Sequence, residues 1–491
     1  MSTLRFLVRA AIVFFSFASS CRSASQNPRY SKDIEEKISR VENGLLGWVQ
    51  IKDSANTWNL EERMKHYQVP GLSIAVIHDY KLEWARGYGV MDVTTKDPVT
   101  VETLFQAASI SKSLNAVGVL KLVQDRKLDL YADINNYLRT WKFPYDSVSK
   151  GRKISTANLL SHTAGLTIHG FPGYEGGSTL PSIVQILDGK PPANTKAVRS
   201  QFEPGLRHEY SGGGTTISQL IIIDITHQPY DQWMWENVLN PLGMTMSSYQ
   251  QPPAENKRRF LATGYYPNGK EVERKYNVYP EQAAAGLWTN PSDLAKYIIE
   301  TQLSLQGKSA KVLSQQMTQL RLTSYIDSSA ALGVFIEKKG EEKYFGHSGA
   351  NSGFLSIYTA SFSSGNGVVI MVNSENGAIR QELINSVAQV YGWKDYYKPV
   401  IKKTMHAPEN VVAAYKGKYF FQGDTATFSG DGGSYWLQIN NGDKMNVHFS
   451  SVDEFFTNDI PLVFKFEKDG KGTVTGFYFM QGGQKRVVKR L

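Results

Sequence analysis

Between Lys112 and Gln124 the sequence reads "KSLNAVGVLKLVQ", and Leu114, Ala116, Val117, Val119, Leu120, Leu122 and Val123 cover too much of a helical circumference to form one amphipathic stripe. A helix of this kind has to be enclosed on most sides, so the chain must supply further layers to cover it. Lys112 stands at the mouth of that helix. An ammonium is expensive to bury, and one in such a place needs either a partner or work as a proton acceptor. Ser109 lies one turn earlier and on the same face.

The covering layers are readable in the rest of the sequence. "VPGLSIAVIHDYKLEWARGYGVMD", residues 69–92, gives two strands with a tight turn at His78 to Lys81, and residues 331–374 give further strands followed by a helix at "IRQELINSVAQVYGW". Helices are expected at 156–166 and 215–227, the second apolar enough to be buried, and two short helical patterns within 31–68 are expected to cover an edge. Residues 167–200 are rich in Gly and Pro and read as an irregular lobe. Strands at both ends with helices between them predict an α+β fold: an antiparallel sheet with helices on both faces and an inserted, mainly helical region. After a linker at 394–410, short aromatic and β-branched runs alternate with turns such as "SGDGG" and "KDGKG", the pattern of a small all-β, barrel-like domain at 411–491. At 491 residues and 41% apolar content the chain can fill more than one core.

The net charge of +9 is dispersed, without the basic stripe or reading motif that nucleic-acid binding requires. Arg5 and Arg9 precede an apolar stretch from Ala10 to Ala18 and small residues before Cys21, the layout of an export signal over residues 1–21. Residues 22–393 then form the main domain. Cys21 is the only cysteine, which excludes an internal disulfide. Its position after "FASS" resembles a lipoprotein cleavage site, although Ala18 stands where leucine is usual; the implied location is the periplasm or cell envelope, with membrane anchoring if Cys21 is lipidated.

Ser109 and Lys112 form a Ser-x-x-Lys pair on a helix start, where free backbone N–H groups can face a developing oxyanion. The bland alternative makes Ser109 an N-cap and Lys112 a snorkelling surface residue. A second Ser-x-x-Lys, Ser147 to Lys150, lies in a turn-rich stretch where nothing holds the two side chains together. Two distant segments favour the chemical reading: "FEPGLRHEYSGGGTTISQL" places Tyr210 just before a glycine run, and "YFGHSGANSGF" places His347, Ser348 and Gly349 on a late strand.

With these three segments the chain resembles the serine hydrolases built like class C β-lactamases, DD-peptidases and related esterases, whose motifs are Ser-x-x-Lys, Tyr-x-Asn, and Lys-Thr-Gly or His-x-Gly. "VPGLSIAVIHD", "LLSHTAGL", "NPLGMTMSSY" and "AAAGLWTNPSDLAKY" extend the likeness over roughly residues 60–393. The resemblance implies Ser109 as nucleophile, with Lys112 and Tyr210 jointly as proton carriers. It also implies an oxyanion hole from the backbone N–H groups of Ser109 and Ala350, and a substrate-binding wall at His347, Ser348 and Gly349. The implied substrate is a small ester, a peptide or a cell-wall-derived molecule, with no metal or other cofactor.

Two positions depart from the family pattern. Gly212 stands where asparagine is common, and His347 replaces a lysine, so a fixed charge is expected to become one that titrates near neutrality. Both turn the expectation from β-lactam hydrolysis toward esters or D-amino-acid peptides. A rival reading takes "GHSGA" as a near match to G-x-S-x-G, with Ser348 as nucleophile and His406 or His448 as base. His208 lacks the second histidine of a zinc helix motif, and His162 and His169 read as structural. A non-catalytic envelope protein that binds peptidoglycan or peptide is the alternative outside enzymology; the oligomeric state is left open.

Overall fold

The run "GLSIAVIH" is buried from Gly71 to Ile77 and apolar except at Ser73, because both of its faces are covered. In the computed structural model, which describes residues 27–54, 57–440, 444–458, 462–481 and 484–491, this run is strand β1 (Gly71–His78). It lies inside a six-stranded sheet with β2 (Lys81–Gly89), β3 (Phe335–Lys339), β4 (Glu342–Asn351), β5 (Phe354–Ser361) and β6 (Gly367–Val372), in the order β3-β4-β5-β6-β1-β2 and antiparallel throughout. Asp79 and Tyr80, with φ of 48° and 61°, make the two-residue turn from β1 to β2 that matches strand twist. The expected leader and Cys21 lie outside the described residues.

Alternation along the central strands sorts side chains between two cores. Leu72, Ile74 and Val76, with Val368, Ile370 and Val372, face helices α1 (Lys32–Glu42) and α5 (Ala378–Val390). Ala75, Ile77, Val369, Met371 and Phe345 face the other way, toward α2 (Ser111–Gln124), α3 (Gly212–Thr226) and α4 (Pro291–Leu305). In α2 only Lys121, Val123 and Gln124 escape full burial, as its apolar circumference requires.

Three local expectations need correction. The helix expected over 156–166 ends at Leu160: a Ser155/Asn158 capping box starts it, and His162 at φ 58° turns the chain away. The helix expected from 215 begins at Gly212, because the Ser211 hydroxyl caps it by accepting from Gly214 N at 3.0 Å. The stretch 394–410 is not free chain, since Val400–Lys402 pairs in parallel with Val49–Ile51.

Beyond it, eight antiparallel strands from Gly417–Phe421 to Gln484–Arg490 close into a barrel through pairing of the first with the last (Tyr419 with Arg490). Aromatic side chains fill the interior; Tyr415 stacks on Phe466 at 3.8 Å, and Phe428, Phe449, Phe455 and Phe477 pack around them. Among the described residues the barrel interior is thus an aromatic core.

Candidate active site

Ser109 does not sit on α2 itself. It belongs to a 3-10 turn, Ala108–Ile110, that leads into the helix, and Ala108 adopts φ 49°, a left-handed conformation costly for a residue with a Cβ. The turn is held from three sides. Ala107 N donates to Leu287 O at 2.8 Å, Leu287 N to Ser111 Oγ at 3.0 Å, and Ser356 Oγ to Ala107 O at 2.8 Å.

Lys112 is only 4% exposed. Its Nζ donates to Ser109 Oγ at 3.0 Å and to Ala284 O at 2.7 Å, and no ion pair reaches it among the described residues. Ser109 caps no helix and Lys112 reaches no solvent, so the bland reading of both fails. The other Ser-x-x-Lys ends at Lys150 in a left-handed turn, with an ion pair to Glu203 at the surface.

The Tyr210 ring lies beside the ammonium, its centroid 4.9 Å from Lys112 Nζ. No hydrogen bond joins its phenol to Ser109 or Lys112 among the described residues. His162 packs on the other side of that ring at 4.3 Å, and its Nδ1 accepts from Ser211 N at 3.2 Å, while His169 Nδ1 bonds to the Tyr210 carbonyl oxygen. Both histidines are thus structural supports of Tyr210, His162 through its ring and His169 through the backbone carbonyl. For His162 the signal in the sequence is "LLSHTAGL", a segment that carries the family likeness.

Strand β4 forms the facing wall. β3 pairs only with Glu342–Gly346, so from His347 onward that edge of β4 has no strand beside it and lies against the Ser109 turn. Gly349 makes the approach feasible: a Cβ there would stand 2.1 Å from Ala107 O and 2.4 Å from Ser356 Oγ. Gly349→Ala is expected to force strand and turn apart, lowering stability by about 1–3 kcal/mol. Its ester turnover is expected to fall at least tenfold, checked by denaturant unfolding alongside kcat/KM. Ser348 and Ala350 are exposed on this strand, and Asn351 Nδ2 ties its end to Gln106 Oε1 at 2.8 Å and Ala285 O at 3.2 Å.

His347 does not titrate near neutrality. It is 5% exposed, its Nδ1 bonds to Ser348 O at 2.6 Å, and burial together with the nearby Lys112 charge pushes it down to about 3. The same two causes hold His162 well below the ordinary 6.5. Burial pushes the Glu281 carboxyl, whose oxygens have no partner, up from 4.5 to about 7.

These three groups set a pH dependence of stability whose sign can be worked out. Burial and the nearby Lys112 charge hold both histidines below the 6.5 of the unfolded chain, so acidification through that value favours the unfolded state, which binds histidine protons more readily. Glu281 acts in the opposite sense: its carboxyl, raised to about 7, keeps its proton more readily when folded, and that contribution is lost as pH rises through this value. Denaturant unfolding is expected to show a loss of stability on the acid side, and His347→Gln is expected to flatten it.

The rival nucleophile lacks its context. Ser348 lies in the middle of β4, which continues to Asn351 and turns into β5 without the helix an elbow needs. His448 is on a barrel strand against Phe456, and His406 lies beside Gly433 of the same barrel. Among the described residues no group of three His, Cys, Asp or Glu side chains is placed to hold a metal ion.

Comparison with known proteins agrees with this architecture. The family model described as Beta-lactamase matches residues 59–391, more than half of the chain. "Protein flp" of Staphylococcus aureus (strain N315) is 24% identical over 349 residues, covering 69% of this chain and 66% of its own length, so the chain spans just under two thirds of that relative. The octameric penicillin-binding protein homologue from Pyrococcus abyssi superposes with a TM-score of 0.61 at 21% identity, covering 88% of this chain and 98% of that one. D-amino acid amidase from Ochrobactrum anthropi SV3 gives 0.55 at 20% identity, over 73% and 99%. A matching segment that carries the six-stranded sheet, the helical layer and the Ser109 turn leads to one conclusion: the chain belongs to the Beta-lactamase family, with the fold of penicillin-binding-protein-like serine hydrolases.

Proposed function

We propose that the protein is an exported serine hydrolase that cleaves ester or amide bonds through an acyl-enzyme on Ser109. The observation that carries this reading is the 3.0 Å contact between Ser109 Oγ and a buried Lys112 Nζ that has no carboxylate partner among the described residues. Lys112 takes the hydroxyl proton as Oγ attacks the carbonyl carbon, and the Oγ–C bond forms. Tyr210, lying beside the ammonium, relays the proton to the leaving group as its bond to carbon breaks, and later helps a water remove the acyl group. Transfers of this kind typically contribute about a hundredfold to ten-thousandfold in rate. The backbone N–H groups of Ser109 and Ala350 receive the oxyanion, each such donor typically being worth about a hundredfold to a thousandfold.

The substrate class follows from two departures and one neighbour. Gly212 supplies no amide to hold a peptide, neutral His347 supplies no cation for a carboxylate, and one similar fold is by name a D-amino acid amidase. Small esters and D-amino-acid amides are thus the substrates of choice, with β-lactams disfavoured. The reading is tested by exposing the full chain to a fluorophosphonate probe and a p-nitrophenyl ester: a covalent adduct mapped to the Ser109 peptide supports it. An adduct at Ser348 would support the elbow instead, and the absence of any adduct a binding protein.

A further inference from the structure

The glycine run at the start of α3 has a partner surface. A Cβ on Gly212 would lie 3.0 Å from Phe171 Cε2 and 3.4 Å from the His169 carbonyl oxygen, and one on Gly213 would lie 2.8 Å from Val198 Cγ2. The 167–200 lobe therefore presses on the first turn of α3 through the room that missing side chains leave. It is also fastened there: Ser211 Oγ donates to Thr167 O at 3.0 Å, Gly213 N to Ile168 O at 3.0 Å, and His169 Nδ1 bonds to Tyr210 O. As a result the half-buried ring of Phe171 occupies the space that a side chain two residues after Tyr210 would otherwise take.

On strand β4, which lies against the Ser109 turn, His347 presents no charge either. His347 uses Nδ1 on Ser348 O, its ring stands 5.2 Å from Phe335 and 6.4 Å from Tyr210, and its Nε2 is buried without a partner. Lys112 is already engaged by Ser109 and Ala284. A substrate carboxylate brought against these residues would lose its water and meet no free cation, which is costly. An alkyl or aryl group would lose nothing polar and would gain contact with an aromatic ring.

On the reading of Ser109 as nucleophile, we infer that Phe171 and His347 select substrates whose acyl group carries an apolar alkyl or aryl side chain, seated against the Phe171 ring, and reject those bearing a free carboxylate in that group. Phe171 is the specificity-determining residue, and Gly212 is the position that admits it.

The test uses the full chain and p-nitrophenyl acetate, butyrate, octanoate and hemisuccinate. Wild type is expected to favour butyrate over hemisuccinate by at least a hundredfold in kcat/KM, a comparison that needs no variant. Phe171→Ala is expected to lose about tenfold on octanoate, chiefly through KM, with a loss that shrinks toward acetate; Phe171→Leu is expected to recover most of it. His347→Lys is expected to narrow the butyrate-to-hemisuccinate gap at least tenfold. Equal wild-type rates on butyrate and hemisuccinate, or an equal loss on all chain lengths in folded Phe171→Ala, overturn the inference. Either result obtained while fluorophosphonate still labels Ser109 leaves the hydrolase reading standing, whereas failure to label Ser109 removes that reading first.

Discussion

Ser109→Ala is expected to abolish fluorophosphonate labelling and to cut p-nitrophenyl ester turnover by about ten-thousandfold or more, the size of loss seen when a covalent nucleophile is removed. Among the described residues no other serine has the geometry of Ser109. Ser109 Oγ is the hydroxyl within hydrogen-bond reach of the Lys112 amine, and it sits in a turn whose strained Ala108 and three external hydrogen bonds fix its direction. Ser348 is exposed on β4, and Ser348→Ala, with Ser109 intact, should keep the label, which separates the two nucleophiles directly. The side chain lost at Ser109 is small and half-buried, so thermal unfolding of Ser109→Ala should stay close to wild type. Turnover by that variant within a factor of ten of wild type would place the chemistry elsewhere.

The second large effect separates catalysis from stability. Lys112→Met keeps the length of the side chain and removes its amine, so turnover should drop by about a hundredfold to ten-thousandfold. Stability should not drop with it. The wild-type ammonium is 4% exposed and is met by a hydroxyl and a carbonyl rather than a carboxylate. Desolvating a cation in that way costs several kcal/mol, whereas the Ala284 carbonyl left unpaired by methionine costs about 1–3 kcal/mol. The first cost exceeds the second, so Tm should be unchanged or higher. An inactive variant with a markedly lower Tm would make Lys112 a structural residue and not a proton carrier.

The same comparison of terms shows why some features were legible in advance. The enclosed character of α2, the two-faced burial of β1 and the alternating aromatic strands of the barrel are all written in residue spacing, because burial at period 3.6 or 2 leaves an apolar pattern along the chain. Helix ends were less legible. Ser211 starts a helix at Gly212 rather than at 215, since one hydrogen bond outweighs a weak propensity, and the helix that Ser155 caps stops at Leu160, short of the expected 166. The meeting of His162 and His169 with Tyr210 was illegible for a different reason: these contacts span 48 and 41 residues, and no local pattern announces them.

The chain's own order of residues determined the α+β framework, the closed β domain and the presence of a serine, a lysine and a tyrosine suited to acyl transfer, because these depend on side-chain type and periodicity. The tertiary structure alone decided that His347 is neutral, that Lys112 meets no counter-charge among the described residues, and that Phe171 stands where Gly212 leaves room. Charge state and available space are set by what surrounds a group in three dimensions, and the groups that surround these three come from segments far away in the chain.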